Sequence, residues 1–150
     1  MHRWKSLVVF VLLAFGAGAF GSLALPDAWY ASLSKPPFNP PNWIFAPIWT
    51  GLYILMAFAA WRVYGRAGVG TAILLWGAQL ALNAAWSPLF FGMHWIVGAL
   101  ADIFGLLTLV LATTLLFFRH DRAAGLMMVP YALWVAFASV LNFAIYRLNT

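Results

Sequence analysis

From Leu7 to Leu25 the chain carries no charged residue, and comparably apolar runs follow at about 43–64, 69–91, 95–118 and 123–146. Each is close to the roughly 20 residues that a helix needs to cross the hydrocarbon core of a bilayer. Backbone polar groups cannot stay unpaired in lipid, so such runs must close their hydrogen bonds internally as helices. Charged residues make up only 7% of the sequence, against about 25% in soluble domains. Such a chain cannot cover itself with polar surface. The expected fold is therefore an all-α integral membrane protein: five transmembrane helices in one domain, 1–150, joined mostly by short turns.

One connection is long. Pro26 to Asn42, about seventeen residues, holds five of the eight prolines. Pro36, Pro37, Pro40 and Pro41 cannot share a helix, because each lacks an N–H and restricts the residue before it. A connection of this length is usually functional or disordered, and disordered segments are poor in aromatic residues. The stretch Trp29–Trp49 is rich in them, so it is expected to be an ordered, proline-rich lid between the first two spans.

Basic residues give the orientation. Arg3, Lys5, Arg62, Arg66, Arg119 and Arg122 fall on one side, Lys35 and Arg147 on the other. In a bacterial cell membrane the positive-inside rule then puts the N-terminus in the cytoplasm and the first loop outside. An alternative for the first span is a secretory signal, with Ala17, Ala19 and Ala24 as small residues after the apolar run; its cleavage would leave four spans. The net charge of +5 is spread along the chain and makes no nucleic-acid-binding stripe.

Several chemistries are excluded or disfavoured. Without cysteine there is no thiolate site or disulfide. His2, His94 and His120 are not paired at ligand spacing, so no metal site is expected. No Ser-His-Asp arrangement is supported. Gly16-Ala17-Gly18-Ala19-Phe20-Gly21 matches a nucleotide-binding pattern literally, but it lies mid-span with no strand before it. Its small residues at spacing four (Ala14, Gly18, Ser22; Ala17, Gly21) suit close helix packing, as do Gly77, Ala81 and Ala85; either ridge could serve the bundle or a dimer seam. Asp102, the one acid within a span, is expensive there and should face the interior, as a ligand or proton site or as a helix–helix hydrogen bond.

Three helices present aromatic–polar stripes at helical spacing. Span two offers Phe45, Trp49 and Tyr53. Span three offers Trp76, Gln79, Asn83, Trp86 and Phe90. Span five offers Trp134, Ala138, Leu141 and Asn142. Amides in lipid need partners, so these stripes face inward. Flat aromatic walls with a few amides suit a flat, largely apolar ligand. The competing reading is ordinary packing, with Trp4, Trp43, Trp61 and Trp95 as an interfacial belt. Pro88 and Pro130 are expected to kink spans three and five.

The order and spacing of Trp29-Tyr30, Lys35-Pro36-Pro37-Phe38-Asn39-Pro40-Pro41, Pro47-Ile48-Trp49, Gln79-Leu80-Ala81-Leu82-Asn83, Trp86-Ser87-Pro88, Phe90-Phe91-Gly92, Pro130-Tyr131 with Trp134, and Leu141-Asn142-Phe143 resemble the TspO/MBR family. Its members are the tryptophan-rich sensory proteins of bacteria and the mitochondrial translocator protein, or peripheral benzodiazepine receptor. The resemblance implies a five-helix bundle, often a homodimer, with a pocket under the first loop for porphyrins and haem-type tetrapyrroles. In animal members it also implies cholesterol and benzodiazepine-class drugs. No resident cofactor is implied; the tetrapyrrole is a ligand. Trp49, Tyr53, Gln79, Asn83, Trp86, Phe90, Trp134, Ala138 and Asn142 match pocket positions, and Tyr30 and Pro40 match lid positions. Lys35 is a candidate partner for a propionate at the mouth. Trp49 and Trp134 are the candidate redox residues if the chain degrades porphyrin in light, and transport of tetrapyrroles or sterols is the third reading. The animal cholesterol motif is not matched strictly: Phe143 stands where its Tyr would be, and Tyr146 is directly followed by Arg147.

Overall fold

The computed structural model describes residues 3–150; His2 lies outside the described residues. It is 84% helical. The order is α1 (Arg3–Gly21), α2 (Ala28–Ser32), a 3-10 turn (Asn42–Ile44), α3 (Phe45–Ala67), α4 (Thr71–Ser87), a π-helical turn (Pro88–Gly92), α5 (Ile96–His120) and α6 (Arg122–Leu148). Five of these segments are long and apolar enough to cross a membrane, with the short turns before α3 and after α4 continuing their helices. The chain is an integral membrane protein.

The first helix occupies 3–21 rather than the 7–25 of the apolar run. Its start reaches into the basic N-terminus, where Ser6 Oγ donates to the Arg3 carbonyl at 2.8 Å. It stops short of Leu25 because Pro26 disfavours helical backbone in the residue before it. Beyond it the connection contains one helical turn, α2, capped by Asp27, whose carboxylate accepts the Tyr30 N–H at 3.1 Å.

The helices close into a ring in the order α1, α3, α6, α5, α4, each packing chiefly on its two neighbours. The sequential neighbours α3 and α4 barely touch, although only a short turn joins them. Small residues set two of the closest approaches. A Cβ on Gly18 would lie 2.6 Å from the Tyr53 ring, so α1 seats directly on α3. A Cβ on Gly125 would lie 2.4 Å from the Phe118 ring at the α5–α6 turn. Ala14 is fully buried, so the first small-residue ridge serves the bundle. Gly77 and Ala81 on α4 remain exposed.

The two in-span prolines behave differently. Pro130 is accommodated within α6. At Pro88 the helix widens: the Met93 N–H reaches the Pro88 carbonyl at 2.8 Å, five residues back. This wider turn directs Phe90 inward, where it is 1% exposed and stacks on Trp86 with centroids 5.1 Å apart. Such π-helical turns are frequent at functional sites.

Candidate functional site

A cavity of about 540 Å³ opens beneath α2, between α1, α3, α4 and α6. That is within the usual range for small-molecule sites. Of the residues expected at the site, Tyr30, Phe45, Trp49, Tyr53 and Asn83 reach its wall, as do Trp86, Phe90, Trp134, Ala138, Leu141 and Asn142. The aromatic groups form a continuous edge-to-face and stacked set. Trp49 lies 5.6 Å from Tyr53 and 6.4 Å from Trp134, and Phe45 lies 5.8 Å from Trp134. Ala138 stands in the α6 stripe one turn above Trp134, and its small side chain leaves that part of the wall recessed.

Five expected residues lie elsewhere. Gln79 is fully buried below the cavity, where its Oε1 accepts from Tyr131 Oη at 2.5 Å and its Nε2 faces Met56 Sδ at 3.9 Å. Trp76 is deeper still and packs edge-on against Phe10 of α1, centroids 5.4 Å apart. The α4 stripe is longer than the cavity, so its lower half is core. Pro40 is outside the wall, in the lid's outer strand. Lys35 does not line the cavity: its Nζ donates to the Leu33 carbonyl at 3.2 Å and sits 4.6 Å over the Tyr30 ring. Asp102 does not reach the cavity either, and its buried Oδ2 has no partner among the described residues.

The floor is a directional chain of donors. Tyr53 Oη donates to Asn83 Oδ1 at 2.8 Å, Asn83 Nδ2 to Tyr131 Oη at 2.9 Å, and Tyr131 Oη to Gln79 Oε1. The chain links α3, α4 and α6 across the bundle and satisfies the amides that lipid would leave bare. Asn83 thus spends its polar atoms on the protein. Higher up, Asn142 Oδ1 accepts the Trp86 indole N–H at 2.9 Å, fixing that ring in the wall. The Trp134 indole N–H is buried and has no partner among the described residues.

Tyr131 is the residue the sequence reading left out of the site. The signal was present: Tyr131, Trp134, Ala138 and Asn142 fall at helical spacing on one face, and a hydroxyl in mid-span requires a partner. The α1 wall was also missed. Phe15, Gly18, Ala19 and Ser22 line the cavity, and Gly18 lets the Tyr53 ring lie directly against α1.

The lid is fastened at three points. Trp29 stacks on His94 at 4.2 Å, and His94 Nε2 lies 3.1 Å from Asp27 Oδ2. Tyr30, 5% exposed, meets Phe91 edge-on at 5.2 Å and donates to Asn39 Oδ1 at 3.3 Å. Ser34 and Asn149 exchange two hydrogen bonds, at 3.0 and 2.9 Å, tying the loop to the end of α6. The Asp27 carboxyl is held below its ordinary range, first by the Tyr30 N–H and then by His94. Burial raises the Tyr30 phenol.

Sequence comparison identifies the family. The model of the TspO/MBR family matches residues 8–147. Protein CrtK of Rhodobacter capsulatus is 45% identical over 137 residues, covering 89% of this chain and 86% of its own. The tryptophan-rich sensory protein of Cereibacter sphaeroides is 42% identical over 146 residues, covering 97% and 92%. The translocator protein of Bos taurus is 36% identical over 154 residues, covering 97% and 91%. A family match across five membrane-spanning helices, with relatives aligned over nearly their whole length, places the chain in the TspO/MBR family of integral membrane proteins.

Proposed function

We propose that the protein is a membrane receptor that binds a porphyrin or related tetrapyrrole in the cavity beneath α2. The convergence of Trp49, Trp86, Phe90 and Trp134 from three helices on one cavity of about 540 Å³ carries this reading. Aromatic faces stack on a macrocycle. Benzodiazepine-type drugs share the flat apolar shape that these walls accept. The exposed Gly77–Ala81 ridge on α4 would let a second copy approach closely to form a homodimer. Under the positive-inside rule the cavity mouth faces outward in a bacterial cell membrane.

Titration of the purified protein with protoporphyrin, followed by tryptophan quenching, tests the binding. Saturable quenching that is lost in Trp49→Phe/Trp134→Phe supports it. Quenching that never saturates, or is the same in that variant, refutes it.

The edge-to-face contact of Trp49 and Trp134 within the wall favours a second reading, light-driven oxidation of the bound tetrapyrrole. Dioxygen would accept the electrons, relayed by the two indoles. Porphyrin bleaching under light and oxygen at the same rate in the double Phe variant refutes that reading while leaving binding intact.

A further inference from the structure

The face of the bundle opposite the lid holds a second concavity, of about 450 Å³, lined by Arg3, Arg62, Gly65, Arg66 and Asp121. Three elements build it: the first turn of α1, the last turns of α3, and the junction between α5 and α6. Asp121 is its only acid, and Arg62 engages both of its oxygens. Its Oδ2 receives Arg62 Nε at 2.6 Å and lies 3.5 Å from Arg66 Nε; its Oδ1 receives Arg62 Nη2 at 3.4 Å and the Ala123 N–H at 3.1 Å. Three hydrogen bonds, two of them from Arg62, hold this carboxylate, and Arg66 approaches it only as a longer ion pair.

Arg3 has no share in that carboxylate. Its guanidinium carbon sits 4.9 Å over the Trp61 ring, whose Nε1 donates to the Arg3 carbonyl at 2.9 Å. It also reaches across Gly65, where a Cβ would stand 3.4 Å from Arg3 Nη2. The side chain is thus aimed into the concavity. The sequence has three acids, and the other two, Asp27 and Asp102, lie on the lid and within α5. The guanidinium groups therefore outnumber the carboxylate three to one, and Arg62 and Arg66 form a like-charge pair one helical turn apart, an arrangement unfavourable by itself. Positive-inside bias accounts for arginines on this face but not for three of them converging. Lys5, Arg119 and Arg122 share the face and do not line the site.

We propose that this concavity binds a phosphate group, with Arg3 and Arg66 as its principal ligands and Arg62 held in place by Asp121. Planar guanidinium forks match phosphate oxygens two at a time. A pocket at the ends of membrane helices lies at the depth of lipid headgroups, where basic pockets take anionic lipids. The same chemistry suits a soluble phosphate.

The test uses the full chain in dodecyl maltoside and calorimetric titration with three probes: short-chain phosphatidic acid, short-chain phosphatidylcholine and inorganic phosphate. Saturable binding of phosphatidic acid or inorganic phosphate, at one per chain, is expected. Affinity should fall roughly tenfold for each arginine lost in Arg3→Gln and Arg66→Gln. The control Lys5→Gln/Arg119→Gln removes as much charge from the same face as Arg3→Gln/Arg66→Gln and should bind as the parent does. Binding of phosphatidic acid without phosphate identifies a lipid headgroup site; competition by phosphate identifies a soluble anion site. Protoporphyrin quenching, read at the opposite end of the molecule, reports whether each variant is folded. The proposal is overturned if no phosphate probe binds saturably, if phosphatidylcholine binds equally well, or if the control variant loses as much affinity as the pocket variants.

Discussion

Replacing Tyr131 by Phe removes one oxygen at the centre of the floor network and strands two groups at once. The Asn83 Nδ2 donor loses its acceptor at 2.9 Å, and the Gln79 Oε1 acceptor loses its donor at 2.5 Å. Gln79 and Tyr131 are fully buried and Asn83 is 8% exposed, so water does not replace the hydroxyl. In a water-soluble protein each stranded group costs about 1–3 kcal/mol. Within a membrane the unfolded helices also find partners, and single interhelical hydrogen bonds average about 0.6 with a maximum near 1.7 kcal/mol. Two of them at a fully enclosed position give a loss of about 1–3 kcal/mol. Tyr53→Phe strands only the Asn83 Oδ1 acceptor, at the cavity wall, and should cost below about 1 kcal/mol. Gln79→Met removes the orphaned acceptor, so Gln79→Met/Tyr131→Phe should be less destabilised than the two single losses added together, by about 1 kcal/mol. Reversible unfolding in mixed micelles of dodecyl maltoside and dodecyl sulfate, followed by tryptophan fluorescence, measures all four. The network has no energetic role if Tyr131→Phe matches the parent, if it costs no more than Tyr53→Phe, or if the double variant is simply additive.

Four further perturbations follow from the geometry. Gly18→Ala places a methyl 2.6 Å from the Tyr53 ring; it should cost about 1–3 kcal/mol as overpacking and weaken protoporphyrin binding, because Tyr53 carries both the wall and the floor bond. Asp121 has its carboxyl lowered, first by the Arg62 hydrogen bond. A lowered folded value means that its stabilisation is present above the unfolded value of about 3.9 and disappears as pH falls through the folded one, so Asp121→Asn should flatten the acid limb of a pH–stability curve. The amplitude should stay within about 1 kcal/mol, because Arg62 and Arg66 remain solvated and Asn preserves the helix cap. Asp27→Ala removes the cap of α2 and the partner of His94 together; amide exchange at Tyr30 and Ala31 should quicken by roughly fivefold or more, while α3–α6 stay protected. Pro40→Gly/Pro41→Gly frees the outer strand of the lid and should loosen protoporphyrin without unfolding the bundle; unchanged affinity would make the strand a mere connector.

The relation between stripe and site shows how far linear reading reaches. On α3 and α6 the stripes coincide with the cavity wall, because both helices run their aromatic residues along its height. On α4 the stripe continues below the floor, and periodicity assigns Trp76 and Gln79 to the right face but carries no depth. Depth is set by where Tyr131 of a different helix closes the space. The α1 wall gave only a faint signal, since beside Phe15 it contributes the small residues Gly18, Ala19 and Ser22.

Uncharged runs of bilayer length determine by themselves that this chain makes membrane-spanning helices, because unpaired backbone groups have no other resolution in lipid. The proline cluster determines where the helices must be interrupted, and helical spacing determines which face of each helix turns inward. The ring order was decided only in three dimensions: α3 and α4 are neighbours in sequence yet meet little, because the tight approach of Gly18 to Tyr53 commits α3 to α1. So was the meeting of Arg3, Arg62 and Arg66 in one concavity, from helix ends some sixty residues apart in sequence. Pairing between helices depends on shape at their contacts, and no single helix carries that information in its own pattern.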